Sequence, residues 1–169
     1  MTEVQAVFVD QDIRDVSRII EDNPRHAEAF VYRGMVYVRE GDYDRAIQDF
    51  TKAIEIDPNA GSTYGKRGAA HLELGELEEA IRDLTKAIEL YPHFAQAYSN
   101  RGNAHLRKGN YEEAVLDFTA ATEIHPGYAK AYHGRAIAYQ KKRLYRLAAQ
   151  DFGTACDLGD KDACRASGR

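Results

Sequence analysis

The chain has no tryptophan, two cysteines, two methionines and only four prolines in 169 residues. Two cysteines are too few for a disulfide framework to stand in for a core. No apolar run approaches the ~20 residues that a bilayer-crossing helix needs. There is no basic excess: 23 Lys and Arg against 27 Asp and Glu give a formal charge of −4. That balance weighs against a nucleic-acid binder, which usually carries a basic face. The opening MTEVQAVFVDQD has no basic n-region, and its apolar run is too short for an h-region. No secretory leader is therefore read, and the expected compartment is the cytoplasm unless a leader was removed before this numbering begins. A Gly-rich phosphate loop, G-x-S-x-G, H-E-x-x-H and clustered Cys/His are all missing. No enzyme activity and no cofactor are expected.

What the chain does have is a period. Pro24, Pro58, Pro92 and Pro126 each stand 34 residues after the last. Gly34, Gly68 and Gly102 keep the step, with Ala136 in the fourth place, and so do Gly41, Gly75 and Gly109. A fixed period of this length signals stacked supersecondary units. The unit is clearest over 27–60, AEAFVYRGMVYVREGDYDRAIQDFTKAIEIDPNA, and recurs over 61–94, 95–128 and 129–160. Residues 10–24 align with its second half, Ile13 over Ile47 and Val16 over Phe50, so the chain is expected to open with a lone second helix from about Asp10 to Asp22. Residues 161–169 are expected to hold a short trailing helix that covers the end of the stack.

Within a unit, Ala27, Phe30, Gly34 and Tyr37 recur at three- and four-residue steps, the spacing of one helical face. Gly41 falls past that helix, where a left-handed residue suits glycine. Pro58 follows the second helix and forbids its continuation. Gly34 and Ala46 are small where two helix axes must approach closely.

This pattern resembles the tetratricopeptide repeat (TPR), in which aromatic, Gly and aromatic positions precede A-x3-F and then Pro. Phe30, Gly34, Tyr37, Ala46, Phe50 and Pro58 carry the resemblance in the first copy, and it extends over about nine tenths of the chain. It implies an all-α, right-handed α-solenoid of helix-turn-helix units.

One departure is itself periodic. Where the family has Leu just before the Gly, this chain has Arg33, Arg67, Arg101 and Arg135. Asp15, Asp49, Asp83, Asp117 and Asp151 keep the same step. The Arg residues could meet Asp of their own unit or of the unit before. The half-unit has Asp15 and no Arg of its own, which favours Asp15–Arg33, Asp49–Arg67, Asp83–Arg101 and Asp117–Arg135 as bridges between units. Arg suits the role because its planar fork meets a carboxylate bidentately.

His71 and His105 replace Tyr37 and Tyr139 at equivalent positions. A stacked His pair could hold a metal, but the repeat places no third ligand nearby, so they are read as core histidines. The ending ACDLGDKDAC, with Cys156 and Cys164, resembles the Sel1-like repeat, a TPR relative. In exported cysteine-rich members such a pair bridges two helices. With no leader visible, two reduced thiols are expected here.

In TPR proteins the first helices line a concave groove. Carried over, the resemblance implies groove positions Val31, Met35, Val38 and Arg39, then Gly65, Ala69, Leu72 and Glu73, then Ser99, Asn103, Leu106 and Arg107. The fourth unit supplies Lys130, His133, Ile137, Gln140 and Lys141. This stripe runs from apolar to basic and suits an extended or helical peptide with apolar and acidic residues. The family's clamp for chaperone C-termini is not matched, because Val31 and Met35 fill two of its places and only Asn103 survives. The expected function is a scaffold or adaptor that binds another protein. The alternative is a structural repeat protein that self-assembles through its stack ends; a metal protein or enzyme ranks third.

Overall fold

A computed structural model describes the backbone of residues 3–166 and 168, and the side chains of residues 12–166. The described residues form ten helices and no strand. They are α1 (Glu3–Asp22), α2 (Ala27–Glu40), α3 (Tyr43–Ile56), α4 (Gly61–Leu74) and α5 (Leu77–Leu90). Then come α6 (Ala95–Lys108), α7 (Tyr111–Ile124), α8 (Ala129–Lys141), α9 (Tyr145–Asp157) and α10 (Lys161–Ala166). Each helix packs mainly on its neighbours in the chain, and α4, α6 and α8 also touch in succession. This is an α-solenoid of helical repeats. The opening helix is longer than its period suggests, starting at Glu3 rather than near Asp10. Val7, Phe8 and Val9 fall on it, but their side chains lie outside the described ones.

The helix ends follow from the residues that recur there. Gly41, Gly75 and Gly109 take φ of 77°, 83° and 84°, left-handed values open to glycine. In that conformation the Gly41 N–H donates back to the carbonyls of Tyr37 and Val38. Asp42 then accepts from the Arg45 N–H and starts α3. Its pKa is lowered by that backbone hydrogen bond and by the Arg45 side chain.

The core runs as a column of small and aromatic side chains. Ala46, Ala80 and Ala114 are fully buried beside Phe50, Leu84 and Phe118. A Cβ at Gly68 would lie 2.8 Å from Leu84 Cγ and 3.2 Å from the Ala80 carbonyl oxygen, so α4 and α5 touch almost backbone to backbone.

The Arg–Asp ladder is present in the other register. Arg33 meets Asp49 of its own unit, through Nε and Nη2 at 2.8 Å each. Arg67 meets Asp83, Arg101 meets Asp117 and Arg135 meets Asp151 by the same two-pronged contact. The bridges expected from Asp15–Arg33 onward are therefore not formed. The reason lies in the guanidinium fork. Two nitrogens face the helix of the same unit, and Nη1 is left to reach the unit before, where Ser17, Thr51, Thr85 and Thr119 accept it at 2.9–3.1 Å. The Asp hydrogen bond raises each Arg pKa against the opposing effect of burial. Each guanidinium also lies over the aromatic ring three residues earlier, Phe30, Tyr64, Tyr98 or Tyr132, at 5.4–5.8 Å. Asp15 is exposed and lines a cleft between α1 and α2.

A second correction concerns the cysteines. Cys156 and Cys164 form a disulfide, with Cα atoms 4.6 Å apart, and pin α10 to the end of α9. The spacing of eight brings the two helix ends together across the turn at Gly159, whose φ is 94°.

Candidate interaction surface

Helices α2, α4 and α6 line a cleft of about 520 Å³. Tyr32, Met35 and Val38 present apolar surface to it and are 49%, 46% and 36% exposed. A group of exposed apolar side chains rimmed by polar ones is the usual mark of an interaction surface. Ala69 and Ala70 continue the wall on α4. Phe94 closes one side, and it can do so because Gly65 is bare: a Cβ there would lie 2.7 Å from the Phe94 ring. Two cations, Arg39 and Lys66, and one acid, Glu73, set the charge of the lining. Arg39 also reaches Asp12 on α1 at 3.5 Å.

Of the residues expected in a groove, Met35, Val38, Arg39, Gly65, Ala69 and Glu73 come together here. Others do not. Leu72 and Ser99 are buried, at 8% and 2% exposure, and act in packing. Val31 packs on the core of Tyr37, Ala46, Phe50 and Ala70, and Leu106 packs beside Ala114 and Phe118. Asn103 is half-buried. Arg107 donates through Nη1 to the Leu72 carbonyl. On α8, Ile137 packs against the last core cluster, while Lys130, Gln140 and Lys141 stay exposed and line no described cleft.

His133 holds Asp160 at 2.9 Å. Burial works to raise the Asp160 pKa, but hydrogen bonds from the Ala163 N–H and from His133 bring it below the ordinary value. Tyr32, Lys66, Gln96 and Asn100 line the cleft without having been singled out by the repeat. Three of them were readable, since Tyr32, Lys66 and Asn100 share the 34-residue step.

His71 sits 2.6 Å from Glu76 through Nδ1 and 3.8 Å from Asp83 through Nε2. At His105 the place of Glu76 is taken by Asn110: Nδ1 is buried with no hydrogen-bond partner, and burial lowers its pKa against the opposing pull of Asp117 and Glu113. Among the described residues no three His, Cys, Asp or Glu converge as metal ligands. No described helix is long and apolar enough to cross a membrane.

Two tetratricopeptide-repeat models match the sequence, one over residues 27–60 and one over 66–129, together more than half of it. The chain carries tetratricopeptide repeats. Solved TPR structures share its fold. A crystal structure of MamA superposes with a TM-score of 0.85 at 26% identity, covering 95% of this chain and 94% of that one. MamA from Desulfovibrio magneticus RS-1 gives 0.83 at 21% identity, over 92% and 88% of the two chains. YrrB, described as a TPR protein with an unusual peptide-binding site, gives 0.80 at 24% identity, over 98% and 87%. None of the curated proteins matches the chain.

Proposed function

We propose that this chain is a scaffold or adaptor that seats a segment of another protein in the α2–α4–α6 cleft. The repeats themselves support a protein-interaction module. One observation carries the finer reading: Tyr32, Met35 and Val38 stand exposed in a single cleft beside Arg39 and Lys66. A fitting segment is extended or helical, with apolar side chains for the Met35 end and an acid within reach of Lys66. Lys130 and Lys141 extend the attraction for acids toward the fourth repeat. The disulfide-closed turn between α9 and α10 supports a Sel1-like ending and fits an oxidising compartment better than the cytoplasm.

The test is binding of labelled peptides selected from a displayed random library against the intact protein. Met35→Ala is expected to weaken them by about tenfold with little salt dependence, the size of a ~1–2 kcal/mol apolar contact. Lys66→Glu is expected to weaken them in a salt-dependent way. Selected peptides that bind both variants as well as the parent chain would place recognition elsewhere.

A further inference from the structure

Three of the four turns inside the repeats share one chemistry. A left-handed Gly41, Gly75 or Gly109 is followed by Asp42, Glu76 or Asn110 before the next helix. Acids then occupy the first helical turn, at Asp44, at Glu78 and at Glu112. That is where the positive end of the helix dipole favours them.

The turn between α8 and α9 breaks every one of these rules. Arg143 stands in the glycine's place at φ 61°, a conformation unfavourable for a residue with a Cβ. Leu144 stands at the N-cap, where it cannot accept a hydrogen bond. Arg146 puts a cation in the first turn of α9, and Leu147 takes the position of Glu79 and Glu113. Tyr145 is 65% exposed, whereas Tyr43, Leu77 and Tyr111 at the same position are half-buried. Leu144 and Leu147 are each 41% exposed. Arg143 and Arg146 weaken the start of α9, and the turn as a whole sets three exposed apolar side chains among Lys141, Arg143 and Arg146. Packing does not ask for this arrangement; a docking surface does.

At the other end of the stack, α1 and α2 line a cleft of about 460 Å³. Val16, Ile19 and Tyr32 give it apolar surface, and Asp12, Asp15 and Glu28 give it negative charge. Among the described residues no Lys or Arg lines it, but Arg39 reaches Asp12 from beside it at 3.5 Å, so Glu28 is the acid on which the contact relies.

We propose that the α8–α9 turn of one copy docks into the α1–α2 cleft of a second copy. The apolar side chains of the turn meet an apolar cleft, and its cations meet the acids at the rim. The two surfaces differ and lie at opposite ends of the stack, so the contact is heterologous and propagates into rings or open chains. The patch is small, so the association is weak, concentration-dependent and weakened by salt. It goes beyond the peptide cleft and needs neither Met35 nor Lys66, although Tyr32 lines both clefts.

Mass measured by sedimentation over a concentration series tests this on the intact chain. The parent protein is expected to grow in mass with concentration at low salt and to return to monomer at high salt. Restoring the residues of the other turns, with Arg143→Gly, Leu144→Asp, Arg146→Glu and Leu147→Glu, is expected to raise Tm and yet leave only monomer. That separates lost docking from lost folding. The charge reversals Arg143→Glu with Arg146→Glu, and Glu28→Lys, should each give monomers that associate when mixed. The proposal fails if the parent protein is monomeric throughout, or if its assembly survives both reversals. It also fails if the turn binds phosphatidylserine vesicles while the protein remains monomeric, which would assign the patch to a membrane surface.

Discussion

Arg67 holds Asp83 with two guanidinium nitrogens, at 2.7 and 2.8 Å, and gives the third to the Thr51 hydroxyl of the preceding repeat at 3.0 Å. The pair inside the repeat is bidentate and charge-assisted; the tie between repeats is one bond to a neutral oxygen.

Those two contacts should separate on substitution. Asp83→Ala leaves a part-buried cation unpaired and is expected to destabilise the chain by about 3–5 kcal/mol. Thr51→Val removes one hydrogen bond and should destabilise it by only ~1–2 kcal/mol. Urea unfolding measures both. A larger loss for Thr51→Val than for Asp83→Ala would show that the junction, not the repeat, depends on Arg67.

Close approach of α4 and α5 at Gly68 gives a second expectation. Gly68→Leu forces its side chain against Leu84 and the Ala80 carbonyl, and overpacking of this kind destabilises by at least ~1–3 kcal/mol. A melting temperature that does not move would mean the two helices part without loss.

Stability should also depend on pH through His105. Burial lowers its folded pKa, so its stabilising contribution is complete above the unfolded value of ~6.5 and is lost as pH falls through the folded one. Asp160 acts in the same sense at lower pH, because its folded pKa is also lowered and its contribution goes as pH falls through that value. His105→Tyr, the residue at the equivalent positions 37 and 139, should abolish the first of these two losses and leave the second. Chemical denaturation at a series of pH values measures them. An unchanged slope below neutrality in the His105→Tyr protein would remove His105 from the account.

The disulfide gives the fourth expectation. Thiol titration of protein made under oxidising conditions should find no free cysteine. Reduction should free α10 from α9 and destabilise the C-terminal end by about 2–3 kcal/mol. Hydrogen exchange that speeds up in α10 and not in α2 to α5 would locate the effect there.

Much of the fold was legible because the period repeats so often. Pro58, Pro92 and Pro126 mark where second helices stop, and Gly41, Gly75 and Gly109 mark where first helices turn. The ladder's register was not legible from the same facts. Asp49 lies 16 residues after Arg33 and Ser17 lies 16 before it, so a period that contains both does not say which neighbour takes the two-pronged grip. Recurrence of Ser17, Thr51, Thr85 and Thr119 was a readable sign that the earlier neighbour offers a hydroxyl.

The candidate cleft was legible in part. Met35, Val38 and Arg39 follow from their place on the first helix, but Phe94 enters only because Gly65 is bare in three dimensions. Leu72 and Ser99 share that face by spacing but are buried, Leu72 against Ala80, Leu84 and Ala97. The disulfide was obscured because the spacing of Cys156 and Cys164 permits a bond, while its formation depends on the surroundings of the chain.

The unequal grip of each Arg has a mechanical consequence. If the chain is pulled from its two ends, the single hydroxyl ties at the junctions are the contacts that give first, and the two-pronged pairs within each repeat hold longer. Extension is then a staircase rather than one rupture. Each tread first unstacks a repeat and then, as its own pair lets go, unravels its 34 residues, or roughly 110–120 Å of extended backbone. A protein of this build gives way under load one repeat at a time, and the remaining repeats keep their shape while it does so.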